Sequence, residues 1–152
     1  MDAVSYPNED VIDFIEENVV PLRIKADAQP LSSDFNITWT PALVMLDGDG
    51  VEHQRTVGFL SSEGLIPSIL LGMAKVSFDT GNYAEAMDAL KRLLEDSPDS
   101  TFVPEAIFYN GVATFKNTGD PMHLKTAYEK LATDFPDSEW TRRAYPYRLI
   151  GG

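Results

Sequence analysis

The chain contains no cysteine among its 152 residues. Disulfide bonds, thiolate zinc sites, cysteine nucleophiles and dithiol redox chemistry are therefore excluded for these residues. A chain of this length buries enough apolar surface to fold without such crosslinks. A glycine-rich phosphate loop is absent, and so is a serine–histidine–acid arrangement. The sequence thus predicts no catalytic residue, no cofactor and no metal.

Basic residues are scarce: 12 lysines and arginines stand against 24 aspartates and glutamates, for a net charge of −12. Because few cations are available to neutralise phosphates, we expect no nucleic-acid partner. The longest apolar run, residues 66–74, is interrupted by Pro67, Ser68 and Gly72 and is too short to span a bilayer. The acidic N-terminus resembles no signal peptide, which predicts a cytoplasmic location and no membrane contact.

Two units meet near residue 64. Residues 1–64 carry 12 acids and 3 bases and are rich in valine, isoleucine, proline and threonine, whereas residues 65–152 carry 12 acids and 9 bases and are rich in alanine, leucine, lysine and tyrosine. This change in composition predicts an α/β unit over 1–64 and an all-α unit over 65–152.

The first unit alternates helical and strand patterns. Acids precede an apolar face with helical spacing, which is typical of a helix start. The continuous apolar run Ala42–Leu46 predicts a strand buried on both faces, and Asp47–Gly50 predicts a hairpin turn. The predicted elements are a helix over 8–17, a strand over Val19–Ala26, a short helix or turn over 30–35, and strands over Ala42–Leu46 and Val51–Gly58.

The second unit contains a repeat. Asp-Ser-Pro-Asp-Ser at 96–100 returns as Asp-Phe-Pro-Asp-Ser at 134–138, which places Pro98 and Pro136 38 residues apart. A period of this size is typical of a stacked helical array. The predicted helices are Leu65–Phe78, Tyr83–Asp96, Val103–Lys116 and Met122–Asp134.

This repeat resembles the tetratricopeptide repeat, whose period is about 34 residues. The first repeat matches without a gap, and the second needs about four extra residues. The matching residues are Ala74, Gly81-Asn82-Tyr83, Ala86 and Pro98 in the first repeat, and Gly111, Leu124, Tyr128 and Pro136 in the second. The resemblance predicts repeats over about 65–98 and 101–136 and a capping helix over 138–149.

In tetratricopeptide repeats the first helix of each pair lines a groove that binds peptides. The resemblance therefore implies that Lys75, Asp79 and Asn110 contact a peptide. Phe78 and Phe115 fall on the same helix faces, and for them packing against neighbouring helices is the favoured interpretation.

The first unit resembles the C-terminal two-thirds of a thioredoxin fold, over about residues 3–75. The most specific match is Trp39-Thr40-Pro41 followed by the strand Ala42–Leu46 and the Asp-Gly turn. The resemblance implies a cis Thr40–Pro41 bond and contact of Trp39, Thr40 and Pro41 with a bound peptide. For Trp39, a place in the core beneath the sheet is the alternative.

The chain departs from the thioredoxin pattern because it lacks the Cys-x-x-Cys motif and the strands that accompany it. We expect either a fragment of a longer protein or a genuine cysteine-free variant. The predicted fold is a partial thioredoxin-like α/β unit joined to a tetratricopeptide array. Its predicted function is redox-inactive protein or peptide recognition; alternatively, the intact parent is a protein thiol–disulfide oxidoreductase whose repeats select clients.

Two weaker patterns complete the predictions. Asp47-Gly48-Asp49-Gly50 faintly resembles a calcium loop, but Gly58 stands where the bidentate acid would be needed, so a hairpin is favoured. His53 and His123 lie in different units, and their spacing is not that of metal ligands, so they predict no metal site.

A sheet without its central strand exposes edges, which predicts a homodimer through Val19–Ala26 or Ala42–Leu46.

Overall fold

The computed structural model describes all residues from Met1 to Gly152. It is a mixed fold in which one antiparallel pair of strands precedes an array of helices. The elements in chain order are α1 (Glu9–Asn18), α2 (Leu31–Asp34), β1 (Ala42–Leu46), β2 (Glu52–Val57), α3 (Ser62–Asp79), α4 (Tyr83–Asp96), α5 (Val103–Thr118), α6 (Met122–Asp134), α7 (Glu139–Ala144) and a 3-10 helix (Tyr145–Leu149).

Helix α1 forms close to its predicted position. The Asn8 side chain accepts a hydrogen bond from the N–H of Val11 at 3.2 Å, which satisfies one of the free donors at the helix start. Val11 and Phe14 form its buried face and join the core around α3.

The strand predicted over Val19–Ala26 does not form, and this prediction is wrong. The segment belongs to no sheet, and all of it beyond Val19 is exposed. A strand needs a neighbour to receive its backbone hydrogen bonds, and none lies beside this segment. Pro21 also removes one N–H donor from it.

Strands β1 and β2 form the predicted hairpin. Their register pairs Leu43 with Thr56 and Met45 with Gln54, and a bulge follows Met45. The turn is held by the Asp47 carboxylate, which accepts backbone N–H bonds from two later residues at 2.9 Å. Burial of β1 on both faces was predicted and is wrong: its residues are half-buried or exposed, because only one face of the two-stranded sheet packs on α3.

Helix α3 connects the two units. It begins three residues before the predicted Leu65, because the Ser61 side chain caps it by accepting the Gly64 N–H at 3.2 Å. Residues 65–74 of this helix are almost wholly buried, since α1, the hairpin and α4 all pack around it. The helix therefore serves as the support of the sheet and as the first helix of the repeats.

Helices α3 to α6 pack in sequence, each against the next. The small residues predicted at the crossings are buried, with Ala74 1% and Ala86 0% exposed. At the α5–α6 crossing, a Cβ atom on Gly111 would overlap the Cβ of Ala127. The helices approach so closely there that only glycine fits.

The capping helix predicted over 138–149 forms in two parts. Ser138 caps α7, but the α-helix ends at Ala144 and continues as the 3-10 helix Tyr145–Leu149. Pro146 explains the change, because it cannot donate the backbone hydrogen bond that an α-helix requires.

Exposed large apolar side chains are concentrated in the first unit. Of 14 such residues, 11 lie within residues 1–64, among them Val20, Leu22, Trp39 and Phe59. The repeats hide their apolar residues far better. None of the helices combines the length and apolar character that crossing a membrane requires.

Candidate functional site

The hairpin lies along one stripe of α3. Three polar contacts mark the stripe: the hydroxyls of Ser68 and Thr56 are 3.0 Å apart, the Lys75 ammonium donates to the Gln54 side chain at 2.6 Å, and His53 donates to Asp79 at 2.6 Å. Between them, Gly72 allows Met45 to approach the helix. The contacting positions on α3 are 68, 72, 75 and 79, which share one face of a helix.

Lys75 links α3 to α5. Besides Gln54, its ammonium forms an ion pair with Glu105 of α5, and each side chain is 14% exposed. The ammonium also lies 5.2 Å from the ring centroid of Tyr109. Burial raises the pKa of the Tyr109 hydroxyl, and the negative charges of Glu105 and Asp79 raise it further. The Lys75 ammonium therefore already has binding partners within the chain. Glu105 is a site residue that the sequence did not predict.

His53 lies between two carboxylates. Its Nε2 is 2.8 Å from Asp47 and its Nδ1 is 2.6 Å from Asp79, and its side chain is 8% exposed. An ionised carboxylate only accepts hydrogen bonds, so both bonds form together when the imidazole is protonated and donates at both nitrogens. The hydrogen bond to Asp47, followed by that to Asp79, raises the pKa of His53, and the His53 bond lowers the pKa of Asp47.

This histidine bridge ties the tip of the hairpin to the end of α3. The sequence showed each residue separately, but Asp79 is 26 positions from His53, and no local pattern connects them. The structure contains no group of three or more acidic or histidine side chains arranged to hold a metal ion.

An aromatic row crosses the repeats. It consists of Phe78 on α3, Phe108 and Tyr109 on α5, Trp140 on α7 and Tyr147. Successive ring centroids lie 5.3–6.1 Å apart, within the usual range of aromatic contacts. All five side chains are partly buried, and cations lie against two of the rings: Arg143 is 4.5 Å from the ring centroid of Trp140, and Lys75 lies over Tyr109. Phe78 packs as expected, against Tyr83 and Tyr109.

Asn110 adjoins this row on α5. It is half-buried, and its side-chain amide makes no hydrogen bond within the chain, whereas its backbone carbonyl accepts from Thr114 at 2.7 Å. Phe115, five residues further along, is half-buried as well. Asn110 therefore offers a free donor and acceptor on the same helix as Phe108 and Tyr109.

The residues Trp39, Thr40 and Pro41 lie at the other end of the hairpin. The Thr40–Pro41 bond is cis, and the Pro41 carbonyl accepts the Gly58 N–H at 2.8 Å. Trp39 is 71% exposed, so the interpretation that places it in the core is wrong. Because β1 spans five residues at about 3.3 Å each, roughly 16 Å separates this loop from the histidine bridge.

The predicted site residues therefore fall into separate groups. Trp39, Thr40 and Pro41 form an exposed loop at one end of the sheet. Lys75 and Asp79 lie beneath the hairpin and contact it, and Asn110 belongs to the surface of α5.

Comparison with known proteins bears on the helical part. A family model of the tetratricopeptide repeat matches residues 69–100, which include most of α3 and all of α4. No curated protein and no solved structure matches the chain. The thioredoxin-like resemblance of the first unit stays a prediction. Residues 69–100 are similar to a tetratricopeptide repeat, and repeats of this kind suggest protein–protein interaction.

Proposed function

We propose that this chain recognises a protein partner through the aromatic row and Asn110. In stacked helical arrays, the first helices of successive pairs form an extended surface. On α3, a large part of this surface is occupied by the hairpin, so the accessible part lies on α5 and α7. The observation that carries the proposal is the free Asn110 amide on the helix that also contributes the partly buried rings of Phe108 and Tyr109.

The chemistry of this surface favours a segment with both apolar side chains and accessible backbone groups. Aromatic rings provide apolar contact with little loss of conformational freedom, and such residues are enriched among binding hot spots. An asparagine amide can donate to and accept from the peptide backbone of a ligand. A short peptide segment is therefore the partner that we expect.

A phage-displayed peptide library selected on the full chain tests the proposal. We expect enriched peptides to lose at least about fivefold in affinity on Asn110→Ala, the effect of removing a hot-spot contact. Glu129→Ala, an exposed substitution on α6, is the matched control and is expected to leave affinity unchanged. Equal affinity for both variants would contradict the proposed site.

We also propose that Trp39, Thr40 and Pro41 form a second contact for an extended peptide. An exposed indole beside a loop that leads into a sheet edge supports this role. The Trp39→Ala variant tests this contact separately from Asn110.

As the alternative, we propose that the first unit belongs to a longer thioredoxin-like oxidoreductase, whose repeats select its clients. The order of α1, α2, the Thr40–Pro41 loop, the hairpin and α3 supports this resemblance. An insulin-reduction assay tests it on any longer reading frame that contains these residues. The present chain is the control, since it has no thiol; a longer frame without dithiol activity would contradict the alternative.

A further inference from the structure

One edge of β1 has no neighbour. The Gly58 N–H donates to the Pro41 carbonyl, and hydrogen-bonded and non-bonded pairs alternate along an antiparallel ladder. Leu43 and Met45 therefore direct their N–H and C=O groups to β2. Those of Ala42 and Val44 point away from it, and no other segment hydrogen-bonds to them.

A second segment of the chain also lacks partners. Val19–Ala26 is exposed beyond Val19, and between residues 20 and 24 it makes no backbone hydrogen bond. Its apolar residues alternate with polar residues or proline: Val20, Leu22 and Ile24 are 96%, 79% and 40% exposed. This alternation is typical of a strand with one buried face.

Pro21 determines which edge of this segment can pair. Successive residues of a strand direct their N–H groups to opposite edges, so Val20, Leu22 and Ile24 share the edge opposite Pro21. A strand that contains proline is tolerated at the outside of a sheet, where the missing donor faces solvent. The segment is therefore suited to pair along one edge only.

Charge favours contact between this segment and the rest of the first unit. The segment contains Arg23 and Lys25 and no acid, so the other residues of 1–64 have 12 acids and one base. Arg23 forms one ion pair, with Asp2, and both side chains are largely exposed. An exposed ion pair of this kind contributes little to stability, so Arg23 can form an ion pair with a different acid instead.

We propose that the chain forms a two-fold symmetric dimer in which Val19–Ala26 of each copy pairs with the free edge of β1 in the other. The two segments are unpaired within one chain, and exchange between copies satisfies both in both copies. Pairing would also cover Val20 and Leu22, among the most exposed apolar residues of the chain. Because Arg23 and Lys25 would approach a unit whose other residues carry 12 acids and one base, we expect the dimer to weaken as salt rises.

Sedimentation equilibrium over a roughly hundredfold concentration range tests the dimer. We expect the 16.9 kDa monomer to double its mass as concentration rises. Leu22→Pro removes an N–H from the pairing edge and should abolish the dimer. Arg23→Pro places proline at the opposite edge. This variant should dimerise to the same extent as Arg23→Ala, the control that lacks the same charge. A wild-type chain that stays monomeric, or a dimer indifferent to Leu22→Pro, overturns the proposal.

Amide hydrogen exchange identifies the edge without any substitution. The Ala42 and Val44 amides should exchange quickly in dilute solution and at least about tenfold more slowly at high concentration. The Leu43 and Met45 amides, already bonded to β2, provide the internal reference. Protection that appears on α7 instead would overturn the proposal. The Leu22→Pro monomer should still bind the peptides selected through Asn110, so this proposal and the proposed function fail separately.

Discussion

Gly111 offers the sharpest test of the close helix crossing. A Cβ atom at this position would overlap that of Ala127 and lie 3.2 Å from the backbone carbonyl oxygen of His123. Neither obstacle can rotate away, so α5 and α6 must separate. Overpacking of this kind costs about 1–3 kcal/mol, and the higher helix propensity of alanine offsets about 1 kcal/mol. We expect Gly111→Ala to lower the free energy of unfolding by up to about 2 kcal/mol.

Urea denaturation followed by circular dichroism measures this difference. Gly64→Ala is the matched control, because a Cβ there would lie at ordinary distances of 3.5 Å and 3.6 Å from its neighbours. It should leave stability unchanged or raise it by up to about 1 kcal/mol.

The cause is tested by Ala127→Gly, which removes the facing methyl group. Combined with Gly111→Ala, it should recover about 1–2 kcal/mol relative to the sum of the two single effects. A Gly111→Ala protein as stable as the Gly64→Ala control would refute the close crossing.

The remaining predictions concern the contacts around the hairpin. The pKa of His53 is raised in the folded chain, so its contribution to stability is complete below about pH 6.5 and is lost as pH rises through the folded-state pKa. The difference in unfolding free energy between wild type and His53→Gln should therefore shrink as pH rises over that range. Lys75→Met should destabilise the chain by about 1–3 kcal/mol, because it leaves Glu105 half-buried without its cation, and adding Glu105→Gln should restore part of this loss in urea titrations. Trp39→Ala should change unfolding free energy by less than about 0.5 kcal/mol, as is usual for an exposed side chain, while weakening peptide binding measured by calorimetry; a stability loss of core size would contradict its exposure.

The sequence predicted the helices of the repeats closely because their signals are local. The bounds of α4 and α6 are those found, and Pro98 and Pro136 follow the two helix ends. Caps and apolar spacing act within a few residues of chain, so they can be interpreted without knowledge of the tertiary fold.

The sheet was harder to predict because a strand depends on its partner. Val19–Ala26 has the pattern of a strand, yet no strand forms, since nothing within the chain receives its hydrogen bonds. For the same reason, the apolar run of β1 predicted burial on two faces that a two-stranded sheet cannot supply.

The candidate site shows the same division between local and distant signals. The exposed Trp39 loop and the free Asn110 amide lie where a peptide could reach them. The partners of Lys75 and Asp79 could not be inferred, because Glu105 and His53 are 30 and 26 positions away. Contacts at such separations depend on how the hairpin docks on α3.

The contact between the hairpin and α3 contributes more to the stability of the hairpin than to that of α3. The stripe of α3 beneath it consists of Ser68, Gly72, Lys75 and Asp79, which are small or polar, so α3 loses little apolar burial when this face meets water. The hairpin, by contrast, contributes apolar side chains such as Met45 to the contact. A two-stranded hairpin is at best marginally stable alone. The hairpin therefore depends on α3 more than α3 depends on the hairpin, and it should detach at a lower free energy than global unfolding. Its release would expose the stripe of Ser68, Gly72, Lys75 and Asp79 on α3 to solvent.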